Sequence, residues 1–159
     1  MGTKTRRRLP TPEELAIWRS HLETFDIVRA RIEARLHQDS QLSSGDYRVL
    51  LALSEADGKA LRSSALADHI GWERSRLSGH LGRMEKRDLV RREPCAEDAR
   101  GSDVYLTDAG ARAFRDSTLP HLQAIKEVFV DAFTTTQLAQ LGEATALMRE
   151  HLENGSADE

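Results

Sequence analysis

The chain has 159 residues and a formal net charge of −3, with 39% hydrophobic and 31% charged residues. That size suits one domain with a helical extension, and no apolar run approaches the ~20 residues that span a bilayer. The single cysteine, Cys95, excludes an intrachain disulfide and a cysteine-based zinc cluster.

The first predicted element is a long amphipathic helix, which follows a basic arm at residues 1–10. Because no apolar segment comes after the arm, we expect no secretory signal and a cytoplasmic protein. Thr11 and Glu14 form a capping box around Pro12, a strong start signal. Apolar residues then recur at helical spacing, at Leu15, Trp18, Leu22, Phe25, Val28, Ile32 and Leu36. This stripe is too long for a small domain to cover, so residues 11–42 are predicted to be an N-terminal dimerisation helix.

A helix and a short strand are predicted next. Ser43 begins the helix with Asp46 as its acidic partner, and the Asp57-Gly58 pair ends it. Its apolar face comprises Tyr47, Leu50, Leu51 and Leu53. The strand is predicted at Ala60–Arg62.

Two further helices with a tight turn between them predict a helix-turn-helix. Ser63 or Ser64 caps a short helix at residues 65–70, and Gly71 allows the turn. The second helix spans about residues 73–87, with a buried stripe of Leu77, Leu81 and Met84. Its outward face is small, polar and cationic, and comprises Arg74, Ser75, Arg76, Gly79, His80 and Arg83. Such a face suits the crowded floor of a DNA major groove.

The charge of this region differs from that of the whole chain. Residues 74–92 contain seven basic residues and two acidic ones, although the chain as a whole is acidic. A local excess of this kind indicates a nucleic-acid partner. The alternative is an ordinary solvated helix face.

A β-hairpin with a charged loop follows. Its strands are predicted at residues 89–93 and 103–106, and its loop at residues 94–102. The loop carries Asp98 two residues before Arg100, and Gly101 lets the backbone turn. Residues 43–107 therefore predict a winged helix-turn-helix DNA-binding domain, in a fold that is mainly α with a small β-wing (α+β).

The C-terminal third is predicted to be helical. Thr107 caps a helix that starts at Asp108, and we expect a kink or a break at Pro120. Thr134 begins a last helix with Gln137 as its capping partner. Apolar and small residues repeat there at coiled-coil spacing, at Leu138, Leu141, Thr145, Met148 and Leu152. Packing within the chain is one explanation, but apolar stripes at both termini favour an intertwined homodimer. Residues 108–153 are predicted to be C-terminal dimerisation helices, and residues 154–159 a polar tail.

No motif indicates catalysis or a cofactor. The sequence lacks a glycine-rich phosphate loop, a Gly-x-Ser-x-Gly elbow and a His-Glu-x-x-His pair. None of the six histidines pairs with another at the spacing that places two ligands on one helix face, so no metal site is predicted. Cys95 lies near Arg92, where a cation could activate a thiol toward oxidants. An incidental position in the wing is the favoured interpretation.

Residues 53–110 resemble the MarR family of winged-helix transcription regulators. Four segments match in order, namely LADHIG, SRLSGHLGRMEKRDLVRRE, DAR and LTDAG. The resemblance implies a triangular obligate homodimer that binds double-stranded DNA at a pseudo-palindromic operator, with recognition helices in major grooves ~34 Å apart. It also implies a repressor that is released by small phenolic, aromatic or drug-like ligands, by oxidants or by metals.

The resemblance further implies individual DNA contacts. Ser75 and Arg76 would reach base edges, where an arginine can fork to guanine. Arg100 would enter the minor groove, held in place by Asp98. Bases or phosphates would also be contacted by Arg74, His80 and Arg83. Glu73 departs from the family pattern, because many relatives have a capping serine at this position.

A ligand pocket between the dimerisation helices and the winged domain is also implied. By position, its candidate residues are Trp18, His21, Phe25, Tyr47, Arg48 and Leu51. Such a pocket would suit an aromatic acid, although the apolar residues could simply be core. Two alternative functions remain, an oxidant- or metal-responsive regulator of the same fold and a winged-helix module that binds protein. Steep salt dependence would distinguish DNA binding from protein binding.

Overall fold

The computed structural model describes residues 8–95 and 98–155, with the backbone alone at positions 95, 98–100 and 155. Its helices are α1 (Pro12–Ser40), α2 (Ser44–Glu55), α3 (Ser63–Ile70), α4 (Arg74–Glu85), α5 (Asp108–Val128) and α6 (Thr135–Gly155). Its strands are β1 (Ala60–Arg62), β2 (Val90–Cys95) and β3 (Asp98–Leu106), and 3₁₀ turns lie at Asp57–Lys59 and Val130–Ala132. This arrangement confirms the predicted fold class. Within the described ranges, no helix combines the length and apolarity that crossing a membrane requires.

The hydrophobic core lies in the winged domain, where α2, α3 and α4 pack against the sheet. Its fully buried side chains include Leu50, Leu53, Leu66, Leu77, Leu81, Met84 and Val104. The buried stripe predicted for α4 is therefore confirmed, although this helix ends at Glu85, earlier than predicted. Leu36 and Leu42 join the same core. The long first helix is thus anchored to the winged domain through its C-terminal end.

Side-chain caps fix the starts of most helices as the sequence predicted. Reciprocal capping bonds join Thr11 with Glu14, Ser43 with Asp46, and Thr134 with Gln137. The cap predicted for α3 is wrong, because the helix starts at Ser63 itself and its N-cap, Arg62, makes no side-chain capping bond. The reason is that β1 runs directly into α3, since Arg62 is still paired with Asp103 of β3.

The three strands form one antiparallel sheet in the order β1-β3-β2. Pairing between β2 and β3 starts at Val90 opposite Leu106 and continues to Pro94 opposite Ser102. A bulge then brings Cys95 opposite Asp98. The predicted loop at residues 94–102 is therefore wrong in extent. Backbone pairing carries the hairpin through this charged, glycine-containing segment, which has no apolar alternation to indicate a strand.

The helix α5 starts at the predicted cap and runs through Pro120 without a break. The Thr107 hydroxyl accepts a hydrogen bond from the Gly110 N–H at 2.9 Å. Of the kink or break predicted at Pro120, the break is wrong, because α5 is one helix from Asp108 to Val128, and it packs along α1. The chain departs from helical geometry at Phe129 instead, with φ −120° and ψ −58°. The 3₁₀ turn that follows leads into α6.

Candidate nucleic-acid interface

The outward face of α4 carries most of the residues that the sequence predicted there. Exposed on this face are Arg74, Ser75, Arg76, Ser78, Gly79 and Arg83. A Cβ added at Gly79 would meet no atom within 4 Å. Small residues between arginines leave the helix backbone open to close approach, which suits the edge of a base pair.

The predicted outward position of His80 is wrong. Its side chain is 12% exposed, and its Nε2 lies 3.0 Å from Oδ1 of Asp46 in α2. Residue 80 comes three positions after Leu77 and four before Met84, so helical spacing places it beside the buried stripe. His80 therefore faces the body of the domain, where Asp46 receives it.

Trp72, in the turn between α3 and α4, packs against two side chains of the recognition helix. The Arg76 guanidinium carbon lies 4.2 Å from the centroid of the indole ring, and the His80 ring lies 5.0 Å away in an edge-on arrangement. A cation–π contact of this kind contributes ~0.5–2 kcal/mol. Arg76 is thus held at the start of α4. The sequence prediction did not include Trp72. Its position directly after Gly71, in the turn before α4, could have indicated a contact with the start of that helix.

A polar cleft of about 640 Å³ lies between α4 and the wing. Its walls include Arg62, Ser63, Ser64, Arg74, Ser78, Arg92, Gly101 and Ser102. The Arg92 Nε donates to Oε2 of Glu85 at 2.8 Å, and this hydrogen bond holds the pKa of Glu85 below its ordinary value. Ser63 and Ser64 were missed as interface residues because the sequence assigned them to a helix cap.

At positions 95 and 98–100 of the wing, the structure describes the backbone alone. Asp98 and Arg100 lie in β3, but their side chains fall outside the described part of the chain, as does that of Cys95. Their predicted roles stay predictions. On β2, Arg91 lies 4.2 Å over the Tyr105 ring and pairs with Glu93. This basic residue is therefore engaged within the wing itself.

A second concavity, of about 950 Å³, opens between α1, α2, the α3–α4 turn and α5. Two of the six predicted pocket residues, Phe25 and Arg48, line it. Apolar walls that the sequence prediction missed are Val28, Ile32, Ile70, Trp72, Ile125 and Phe129. Arg48 is fixed by a hydrogen bond to the Ile70 carbonyl at 2.5 Å. The cavity thus touches both the long helices and the recognition helix.

The other four predicted pocket residues lie elsewhere. Tyr47 turns toward α5, where its ring packs 4.3 Å from the ring of His121. Trp18 is 56% exposed on α1. His21 lines a separate surface depression, and Leu51 is half-buried away from the cavity. Residue positions along α1 and α2 did not reveal how the two helices are rotated against each other.

Cations outnumber anions on the cavity wall. The cationic side chains are Arg29, Arg48, Arg76 and Arg83, and the one carboxylate is Glu33 among the described lining residues. An anion with an apolar body complements this wall. Arg76 and Arg83 belong both to the cavity and to the exposed face of α4, so the two sites share side chains.

Asp46 ties the start of α2 to α4. Its side chain is 5% exposed, and its Oδ2 accepts from Nη1 of Arg87 at 2.7 Å and from the Ser43 N–H at 2.9 Å. Burial would raise the pKa of Asp46, but the contacts with His80, the Ser43 N–H and Arg87 outweigh it and hold the pKa well below its ordinary value. The carboxylate is therefore charged at neutral pH and contacts both His80 in α4 and Arg87 in the turn after α4.

Comparisons with known proteins agree with this geometry. A family model described as MarR family matches residues 40–101. The chain is 35% identical to AbsC, a MarR family transcriptional regulator from Streptomyces coelicolor, with 92% of this chain and 99% of that chain covered and a TM-score of 0.82. It is 34% identical to Sco3205, a MarR family transcriptional regulator from the same organism solved in complex with DNA, with 91% of each chain covered and a TM-score of 0.82.

A more distant structure shares the fold. The organohalide-sensing regulator RdhR-CbdbA1625, solved with 2,4-dichlorophenol bound, is 16% identical, with 95% of this chain and 89% of that chain covered and a TM-score of 0.77. Among curated proteins, no sequence matches this chain. Within the described residues, no three His, Cys, Asp or Glu side chains lie together in a way that could hold a metal ion.

Proposed function

The chain belongs to the MarR family of transcriptional regulators, and on that premise we propose that it is a homodimer that represses transcription from a pseudo-palindromic operator. The observation that carries the proposal is the exposed, small and cationic face of α4 beside a three-stranded wing. Sco3205, which is 34% identical, was solved in complex with DNA, and this supports the same use of the face here. Because the proposed partner is operator DNA, we propose that the protein acts in the cytoplasm.

Within this proposal, each part of the interface has its own task. Ser75 and Arg76 read base edges at the start of α4, and an arginine fork to guanine discriminates by ~1–3 kcal/mol. Arg74 and Arg83 contact bases or phosphates from the same exposed face. Arg100 enters the minor groove from the wing, with Asp98 holding it. Glu73 is the N-cap of α4 without a side-chain capping bond, so its carboxylate is free to face the DNA edge.

The apolar faces of the terminal helices support the dimer. On α1, Ile17 is 71% exposed and Ile27 is 55% exposed, while Leu147 and Leu152 on α6 are 66% and 64% exposed. Burying one such side chain gains ~1.5–3 kcal/mol. In a symmetric dimer, a second copy of the chain would cover these apolar faces with the same faces of its own helices. Sedimentation at micromolar concentration tests this, and a stable monomer would contradict it.

The cavity supports a small-molecule effector. Its aromatic and aliphatic walls and its excess of guanidinium groups suit an aromatic or apolar acid. RdhR-CbdbA1625, which has the same fold, was solved with 2,4-dichlorophenol bound. In the present chain the cavity walls include Arg76 and Arg83 of the recognition helix. A ligand there competes for side chains that DNA binding uses, and this favours release of the operator.

The DNA-binding function is tested by selecting duplexes from a random pool with the full-length protein. We expect a shared pseudo-palindrome and, for 6–10 phosphate contacts, a loss of roughly 10³–10⁵ in affinity between 50 and 200 mM salt. Arg74→Ala should weaken binding, while Lys126→Ala is a matched control, because Lys126 is an exposed cation on α5 that pairs with Asp131. A pool with no enriched sequence and a flat salt response would favour a protein-binding module instead.

A further inference from the structure

We propose that His80 is a positioning residue that fixes the Arg83 guanidinium for DNA binding and links that position to the wall of the cavity. The inference rests on the proposed DNA-binding role of α4. Its basis is a series of contacts that leads from the buried Asp46 through His80 to the exposed Arg83.

The two ring nitrogens of His80 face opposite charges. Nε2 lies 3.0 Å from Oδ1 of Asp46, and Nδ1 lies 3.1 Å from Nη2 of Arg83. A guanidinium can only donate, so Nδ1 accepts and a neutral ring carries its proton on Nε2, whose 3.0 Å contact with Oδ1 of Asp46 lacks hydrogen-bond geometry. The neutral ring therefore supplies the acceptor that directs Arg83.

The location of this acceptor is rigid because His80 packs directly on the backbone of α2. A Cβ added at Gly45 would lie 2.9 Å from Cε1 of His80 and 2.8 Å from Cη2 of Trp72. Both rings thus occupy the space that a side chain at position 45 would need. This packing prevents the imidazole from moving toward the start of α2.

The same contacts reach the cavity. Trp72, His80 and Arg83 all line it, and Trp72 also supports Arg76 at 4.2 Å. A ligand that displaces the indole ring therefore disturbs Arg76 directly and Arg83 through His80. The charged side chains that share the cavity wall with His80 are Arg29, Glu33, Arg48, Arg76 and Arg83.

Two variants of similar shape separate the contact of His80 with Arg83 from its contact with Asp46. His80→Asn places an amide oxygen near the position of Nδ1 and keeps an acceptor for Arg83. His80→Gln places an amide NH₂ near Nε2 and keeps a donor toward Asp46. On the duplex that the wild type selects, His80→Gln should bind roughly 10-fold more weakly, and His80→Asn should stay within about threefold of the wild type. Thermal unfolding at one protein concentration checks that both variants fold.

A double-mutant cycle distinguishes positioning from a structural role. His80→Gln combined with Arg83→Ala should bind no more weakly than Arg83→Ala alone, because both changes act through one contact. Additive losses in the double variant, or a loss in His80→Asn as large as that in His80→Gln, would overturn the inference while leaving DNA binding intact. A wild type that selects no duplex would overturn the proposed function as well.

Discussion

Replacing Asp46 with asparagine removes the buried negative charge that holds α4 against the start of α2. The asparagine keeps nearly the same shape, and its amide oxygen still accepts from the Ser43 N–H, so the cap of α2 survives. The lost charge faces His80 at 3.0 Å and Arg87 at 2.7 Å. With the amide oxygen at the position of Oδ2, the amide NH₂ group takes the position of Oδ1 and faces Nε2 of His80.

The loss of stability in Asp46→Asn depends on how exposed the partners of Asp46 are. Breaking a fully buried ion pair costs ~3–5 kcal/mol. The Arg87 side chain is 42% exposed and also donates to the Gln41 carbonyl at 2.7 Å, so water and this second acceptor offset part of the loss. We therefore expect Asp46→Asn to lower the free energy of unfolding by about 2–3 kcal/mol. For a chain of this size that lowers Tm by roughly 4–12 °C.

The pH dependence identifies the charge as the cause. Because the pKa of Asp46 is depressed in the folded protein, its charge stabilises the fold above the ordinary value of ~3.9. This contribution disappears as the pH falls through the folded pKa. The difference in unfolding free energy between the wild type and Asp46→Asn should be constant from about pH 5 to 8 and shrink below about pH 4.

Urea unfolding followed by circular dichroism measures both effects, at one protein concentration because dimer stability depends on it. Glu85→Gln is the matched control, since its partner Arg92 is near the surface and the Glu85 side chain is 30% exposed. The control should lose ~1 kcal/mol or less. A loss below ~0.5 kcal/mol for Asp46→Asn, or a difference that persists in acid, would refute the reasoning.

Three further changes test other parts of the structure. Gly110→Ala should lower the free energy of unfolding, measured by thermal unfolding, by ~1–3 kcal/mol, because the added Cβ would lie 2.0 Å from the Leu89 carbonyl oxygen. The control Gly142→Ala, whose Cβ would meet no atom within 4 Å, should not lower it. Burial lowers the pKa of His121, so the unfolded chain takes up a proton at a higher pH than the folded protein does. The wild type should therefore lose stability relative to His121→Phe as the pH falls below about 6.5. An equal stability difference between the two proteins in urea unfolding at pH 8 and pH 5.5 would contradict this. Arg76→Ala should reduce discrimination among operator variants by ~1–3 kcal/mol, measured by fluorescence anisotropy, and unchanged discrimination would exclude Arg76 as a reader.

Features that depend on neighbouring residues could be predicted from the sequence. A cap such as Thr11 needs a partner three residues away, and the buried stripe that contains Leu77 needs helical spacing. Both are local properties, so the structure confirms them. The reach of the wing strands could not be predicted in this way. It depends on backbone pairing between β2 and β3, which the charged side chains there do not indicate.

The candidate sites depended more on contacts between distant segments. His80 faces inward because Gly45 leaves room for its ring and Asp46 supplies a charge, and both lie on another helix. The sequence predicted His80 on the outward face of α4, because helical spacing alone could not show that another helix receives its ring. A cavity opens between the long helices and the winged domain, where a ligand pocket was predicted, but Trp72 was missed because the place of the α3–α4 turn on the cavity wall is a tertiary property.

The cavity wall and the hydrophobic core are built from nearly separate sets of residues. Among the described residues, Ile70 is the one fully buried core residue on the cavity wall, and Trp72 of that wall packs against the core. Under the proposed effector-binding function, duplicated genes with this architecture can therefore diverge in the small molecule they bind while the winged domain keeps folding. On the same proposal, substitutions at Val28, Ile32 or Phe129 should alter ligand preference at little cost to the core. Ile70 is the position where a new specificity would trade directly against stability, so we expect it to change last.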